Sequence, residues 1–153
     1  SLYSRAMLRT LLARLVAPTP EPLTAPDAEL ALAALLVRLA RAGDHYDEAE
    51  KIRIDRVLAH RRGLDMAQAT ALRHEAEEVE AEAPDTVRFT RALKDMIAYE
   101  DRTGIIEALW EVALADGTRS AAEDALIRLA ANLLGVNDRD SALARQRVTA
   151  RQG

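Results

Sequence analysis

The sequence predicts an all-α protein, a single domain of about seven to eight helices in two pseudo-symmetric halves around one core. Alanine, leucine, arginine and glutamate dominate its 153 residues, whereas glycine and aromatic residues are scarce, and this balance favours helices. No segment alternates apolar and polar residues as a half-buried strand does. A third observation is that one short pattern occurs twice. It consists of an apolar helix, a tight acidic turn and a second helix that begins with acidic residues.

The repeat covers residues 30–65 and 103–137. With Gly43 aligned to Asp116, the residues Leu36, Ala40, Ala42, Ala49, Glu50 and Ile54 correspond to Leu109, Ala113, Ala115, Ala122, Glu123 and Ile127. Two buried helices, each followed by a one-sided helix, therefore pack as two similar halves.

Three regions follow one another along the chain. Residues 1–16 predict an N-terminal amphipathic helix, which either docks on the main body or binds a membrane surface or a partner. Residues 17–26 hold four of the five prolines and predict a Pro-rich linker. The helical domain then covers residues 27–151. Met7 is a candidate for the native first residue, in which case Ser1–Ala6 would be an added segment.

The first half of the domain contains three predicted helices. Asp27 caps a helix that runs to about Arg41, and its leucines point in nearly every direction, so it should be buried. The next helix ends at Gly63. The last of the three helices begins at Asp65, and its C-terminal part contains the acidic run Glu75, Glu77, Glu78, Glu80 and Glu82. We interpret this run as a solvated helix face, with an acidic docking strip as the alternative.

The second half begins with a helix opened by Pro84 and Asp85. Its inward stripe consists of Phe89, Leu93, Met96 and Ile97. A turn over residues 101–104 leads to the second buried helix, residues 105–115, in which Trp110 packs into the core. The last two helices cover about 121–134 and 139–151.

Composition excludes several functions. The formal charge of −4 and the scattered aromatic residues argue against nucleic-acid binding. No apolar run is long enough for a transmembrane helix, and arginines interrupt any signal-peptide core, so we expect a cytoplasmic protein. The absence of cysteine rules out disulfides and thiolate metal sites.

Helix capping explains part of both acidic turns. Ser120 and Glu123 have the spacing of a capping box, and Asp47 can cap the helix that contains Glu50. Capping leaves Asp44 and Asp116 unexplained, since each lies beside a glycine where the preceding apolar helix ends.

These residues also suggest a metal site. If the two turns converge, their oxygen atoms would favour a hard divalent cation, calcium or magnesium. The predicted ligands are Asp116, Glu123, Glu50, Asp44 and Asp47. Neither turn matches the twelve-residue calcium loop.

We assign no catalytic residues and no certain cofactor. His45 lies between Asp44 and Asp47, which is half of a general-base arrangement, but no nucleophile or oxyanion-hole loop accompanies it.

Three segments carry a family resemblance: residues 109–117 (LWEVALADG), 123–128 (EDALIR) and 133–136 (LLGV). They resemble the TerB-like family, helical domains associated with tellurite resistance and related to the N-terminal region of DjlA-type co-chaperones. Residues 138–148 resemble a stand-alone bacterial branch of uncharacterised members. The resemblance covers about residues 27–151.

The resemblance implies an all-helical fold of two similar halves whose acidic residues are suspected metal ligands. The family pattern, Ala-Asp-Gly and later Glu, is matched by Asp116 and Glu123 in the second copy and by Glu50 in the first. Gly43-Asp44 departs from it, because the family would have Asp before Gly. The family context is tellurite and stress response through protein complexes, including membrane-associated ones.

We therefore predict a non-enzymatic cytoplasmic helical module that binds protein partners and is linked to tellurite or metal stress. The first alternative is a divalent-cation-binding module that uses the two acidic turns. A metal-assisted hydrolase is the minor alternative. The sequence leaves the oligomeric state open.

Overall fold

A computed structural model describes residues 5–16, 25–43, 46–83, 85–115 and 120–152. Within these ranges the chain forms eight α-helices and no strand, which confirms the all-α prediction. The helices are α1 (Arg5–Val16), α2 (Ala25–Ala42), α3 (Glu48–Arg62), α4 (Met66–Glu82), α5 (Thr86–Met96), α6 (Tyr99–Leu114), α7 (Ala121–Leu133) and α8 (Asp138–Gln152). None of the helices described is both long and apolar enough to cross a membrane.

Helices α2 and α6 form the centre of the fold. All residues from Leu30 to Val37 are buried, and Ile106 and Leu109 of α6 are fully buried as well. Helix α2 packs against α3 and α6 and also against α7, while α6 packs against α7 and also against α3. Each central helix therefore contacts the one-sided helix of both halves, as two pseudo-symmetric repeats around one core require.

The remaining helices cover this centre. Helix α4 lies along α2 and α3, and α8 lies along α6. Helix α1 packs against α4 and α5, with Leu8 and Leu11 buried. The proline-rich residues 17–24 lie outside the described residues, as do the side chains of Phe89 and Met96. Trp110 is buried, as predicted for a core residue.

Two predicted helix starts are wrong. Helix α6 begins at Tyr99, so the expected turn over 101–104 is helical. Glu100 and Asp101 lie in its first turn, where acids stabilise the helix dipole, and one interior glycine costs only about 1 kcal/mol. Helix α2 begins at Ala25, so Asp27 lies in the first turn and is not the cap.

The caps of α3 are as predicted. The Asp47 carboxylate accepts a hydrogen bond from the Glu50 backbone N–H at 3.0 Å. Gly63 ends the helix in the left-handed conformation with φ of 64°, and its N–H donates to the Ala59 carbonyl. Glycine suits this position because a β-carbon disfavours a positive φ.

The interpretation of the acidic run on α4 as a solvated face is wrong for three of its five residues. Glu75 is buried, Glu80 forms ion pairs with Arg38 and Arg41 of α2, and Glu77 pairs with Arg73. Only Glu78 and Glu82 are exposed. The reason is that α4 packs along α2, whose Arg38 and Arg41 neutralise Glu80, while Arg73 of α4 itself pairs with Glu77.

Candidate functional site

The first acidic turn connects α2 to α3. Its Glu50 is buried and forms an ion pair with Arg53 one helical turn further on. Asp47 is exposed and is used as the cap of α3. Asp44 and His45 lie outside the described residues. The described acids of this turn therefore have structural partners.

The second acidic turn connects α6 to α7. The predicted capping box is present: the Glu123 backbone N–H donates to Ser120 Oγ at 3.0 Å, and the Ser120 N–H donates to Glu123 Oε1 at 3.4 Å. The Ser120 hydroxyl also donates to Glu123 Oε1 at 3.1 Å. Glu123 is buried, and Asp116 lies outside the described residues.

Glu123 brings the two turns into contact, because its side chain lies directly against Gly43. A β-carbon added at Gly43 would come within 2.9 Å of Glu123 Cδ and 3.0 Å of both Cγ and Oε1. The order Gly43-Asp44 thus has a steric reason. An aspartate at position 43, as in the family pattern, would collide with the Glu123 carboxylate.

Of the five predicted metal ligands, the structure places Glu50 and Glu123 as buried side chains and Asp47 as an exposed cap. Asp44 and Asp116 lie outside the residues that it describes. Among those described, no group of three or more acidic or histidine side chains is arranged to hold a metal ion. The five-ligand site therefore remains a prediction that depends on the two turn aspartates.

A polar network centred on the buried Asp55 and Arg73 connects to the first turn through Tyr46. The sequence pattern did not predict it. Arg73 Nε donates to Asp55 Oδ1 at 2.7 Å, and Thr70 donates to Asp55 Oδ2 at 2.8 Å. Arg73 also reaches Glu77, which accepts a hydrogen bond from the Tyr46 hydroxyl at 2.5 Å. The network joins α3 to α4 and fixes Tyr46, three residues after Gly43.

Electrostatics in this network favour neutral Tyr46 and charged Arg73. Burial, followed by the hydrogen bond to Glu77, raises the pKa of Tyr46 well above its ordinary value. Burial alone would lower the pKa of Arg73, but its hydrogen bonds to Asp55 and Tyr46 raise it. The Arg41 guanidinium and the Lys51 ammonium lie 5.1 and 5.2 Å from the Tyr46 ring centroid, within cation–π range.

A second ionic cluster joins α3, α6 and α8. Glu107 accepts hydrogen bonds from Arg151 at 2.9 Å and Arg147 at 3.2 Å, and Glu111 pairs with Arg61 and Arg151. Burial opposes ionisation of Glu107, but the hydrogen bond from Arg151 and the nearby arginine charges lower its pKa.

Beside this cluster is an open groove between α3, α6 and α8, with a volume of about 510 Å³. Helix α3 supplies one wall, α8 the other, and the C-terminal end of α6 closes the base. The lining residues are Arg53, Arg56, Val57, His60, Glu111, Ala115, Val148 and Arg151. We call this the α3–α8 groove. Nothing in the sequence pattern marked it, because its lining comes from three separated helices.

A comparison with protein-family models matches residues 29–146 to the family described as tellurite resistance protein TerB. This chain belongs to the TerB family. The match covers both acidic turns, the α3 wall and the α6 base of the groove, whereas Val148 and Arg151 of the α8 wall lie beyond it. Comparisons with curated proteins and with solved structures found no significant match.

Proposed function

We propose that this TerB-family chain is a non-enzymatic helical module that binds protein partners in the cellular response to tellurite or metal stress. The family description, tellurite resistance protein, supports the stress context. It does not specify a reaction, because function depends on the sites that a fold carries.

The observation that carries partner binding is the α3–α8 groove. Its lining combines the charged Arg56 and Arg151 with the exposed Ala115 and with Val57, which is 8% exposed. Apolar surface surrounded by polar side chains is the usual anatomy of a protein interface. The groove therefore offers a docked segment both apolar contact and directional polar contacts.

The described polar groups support a role without catalysis. Among buried carboxylates, Glu50 pairs with Arg53, Asp55 with Arg73, and Glu123 bonds within its capping box. The described histidines, His60 and His74, are exposed on α3 and α4. A catalytic constellation needs a base oriented by a second group beside a substrate cavity.

Site-specific photocrosslinking in the source organism tests the proposal. A photoreactive residue replaces His60 in the groove or, as the control, the exposed Arg91 on α5. We expect a protein adduct at position 60 and not at 91. The captured protein, once purified, should bind the wild-type chain and the Arg91→Glu variant but not Arg56→Glu. Identical adducts at both positions would overturn the proposal.

The stress context has a separate test. Deleting the gene should increase sensitivity to tellurite, and the wild-type chain and Arg91→Glu should restore resistance where Arg56→Glu does not. Unchanged tellurite sensitivity in the deletion strain would remove the stress role while leaving partner binding to the crosslinking test.

Divalent-cation binding is the second candidate, and the contact between Gly43 and Glu123 favours it. This contact brings parts of both acidic turns together, and Glu50 and Glu123 are both buried carboxylates. The proposed ligands are Asp116, Glu123, Glu50, Asp44 and Asp47. Calcium or magnesium would suit such oxygen donors. A metal-assisted hydrolase would need this same site together with measurable turnover.

Thermal unfolding with calcium, magnesium, manganese or zinc tests this candidate, since a ligand that prefers the folded state raises Tm. We expect one cation to raise Tm in the wild type and in Glu78→Gln, a control on the exposed side of α4. Asp116→Ala should abolish the increase. A Tm unchanged at millimolar metal would exclude the site.

A further inference from the structure

The α3–α8 groove has the opposite charge to the chain as a whole. Three arginines and one glutamate line it, so its formal charge is +2 with His60 counted as neutral, whereas the whole chain carries −4. Arg61 and Arg147, which pair with Glu107, lie on the same three-helix face. A local reversal of charge attracts a partner of opposite sign and directs its approach.

The arginines of the groove differ in whether an ion pair within the chain already neutralises their charge. Arg53 pairs with Glu50, and Arg151, with half of its side chain exposed, bonds to Glu107 and Glu111. Arg56 is exposed and has no ion pair within the described part of the chain. Its guanidinium can therefore accept a carboxylate in the two-pronged geometry that arginine favours.

A small apolar surface is available between these charges. The lining includes the exposed Ala115 and Val57, which is 8% exposed, whereas Val148 is fully buried. Residues 53, 56, 57 and 60 lie on one face of α3 and extend about 10 Å along it at 1.5 Å per residue. This length accommodates about three residues of an extended chain.

We propose that the α3–α8 groove binds a short acidic segment of a protein partner, in which carboxylates flank one apolar side chain. The carboxylates pair with Arg56 and Arg151, and the apolar side chain packs on Ala115 and on the accessible part of Val57. This deepens the proposed function and rests on it, since it specifies the chemistry of the partner. A long polyanion such as nucleic acid would be repelled by the net negative charge of the rest of the chain.

Fluorescence anisotropy with the purified full chain tests the chemistry directly. The probe is a labelled peptide of about eight residues in which glutamates surround a single leucine. Its controls are the same peptide with glutamine for glutamate and the same peptide with serine for leucine. We expect both control peptides to bind more weakly than the acidic peptide. Added salt should also weaken the binding of the acidic peptide, because salt screens exposed charges.

Variants of matched exposure locate the site. Arg56→Glu should raise the Kd of the acidic peptide by about tenfold, the equivalent of one lost charge contact. Arg91→Glu should leave this Kd within about twofold of the wild-type value. Both arginines are exposed, so both variants should keep the wild-type Tm, and circular dichroism checks the fold. Equal weakening by the two variants would show a non-specific charge effect and overturn the proposal.

Other outcomes separate this inference from the proposed function. Equal binding of the glutamine peptide, or stronger binding of a single-stranded oligonucleotide, would overturn it. A partner captured at position 60 that docks through a basic or uncharged segment would also overturn it, while partner binding would stand. Groove-specific peptide binding without any captured partner would support the groove chemistry and contradict the proposed function.

Discussion

The Glu123 side chain lies against the backbone of Gly43, so that a β-carbon at Gly43 would come within 2.9 Å of Glu123 Cδ. The same carboxylate completes the capping box of α7 through the Ser120 N–H. One side chain therefore caps a helix of the second half and packs on the end of α2 in the first half. The contact gives a steric reason for glycine at position 43 of the first turn.

Gly43→Ala should destabilise the protein by about 1–2 kcal/mol, because the new methyl group displaces Glu123 from its capping box. The smaller conformational entropy of alanine in the unfolded chain offsets part of this loss. Urea unfolding measures the difference. Adding Glu123→Asp, which shortens the side chain, should recover part of the loss, so the two changes should be non-additive.

Gly104→Ala is the matched control. Gly104 lies inside α6, and the nearest atom to an added β-carbon is Arg61 Nη1 at 4.0 Å. Alanine should stabilise the helix here by about 0.5–1 kcal/mol. If both substitutions changed stability equally, the contact with Glu123 would have no energetic consequence.

Buried helices and caps could be read from the sequence because both are local signals. The leucines of α2 mark a helix buried on all sides, and Ser120 and Asp47 mark helix starts through their spacing to Glu123 and Glu50. The same local reasoning failed at Asp27 and over residues 101–104, where polar residues lie inside a first turn. A residue that suits a cap also suits the first turn of a helix.

The acidic run of α4 and the groove could not be predicted from local patterns. Whether Glu80 is solvated or paired depends on Arg38, which is distant in sequence and adjacent only because α4 packs along α2. The groove likewise depends on α8 lying beside α6. Of the acidic site, the sequence indicated the helix caps, whereas the contact of Glu123 with Gly43 depends on how α7 packs against α2.

Asp55→Ala should cost about 3–5 kcal/mol, because it leaves the Arg73 guanidinium buried without its main partner. Both side chains are buried, with exposed fractions of 5% and 7%. Replacing the pair together, by Asp55→Leu and Arg73→Met, should cost much less than Asp55→Ala alone, since no charge remains buried. Urea unfolding of the two variants provides the comparison, and a double variant as unstable as the single one would contradict the buried-charge explanation.

Glu107 should make the protein sensitive to acid. Its pKa is lowered below the ordinary value of 4.5 in the folded state by Arg151, Arg147 and Arg61. A carboxyl group with a lowered folded pKa stabilises the protein above its unfolded pKa, and this stabilisation is lost as the pH falls through the folded value. The free energy of unfolding should therefore decrease below about pH 4.5. Glu107→Gln should reduce that slope, whereas Glu78→Gln on the exposed side of α4 should leave it unchanged.

Tyr46 should impose the opposite dependence at high pH. Its folded pKa is raised above the ordinary value of 10.0 by burial and by the hydrogen bond to Glu77. Its contribution is therefore fully present below pH 10 and is lost as the pH rises toward the folded value, because the unfolded tyrosine ionises first.

Tyr46→Phe should cost about 1.5–3 kcal/mol at neutral pH, the value of a hydrogen bond to a charged group, and should remove this alkaline slope. The ring contacts with Arg41 and Lys51 remain in that variant, so Tyr46→Leu should cost about 1 kcal/mol more. An alkaline slope that persists in Tyr46→Phe would assign the effect to another group that titrates in this range, a tyrosine or a lysine.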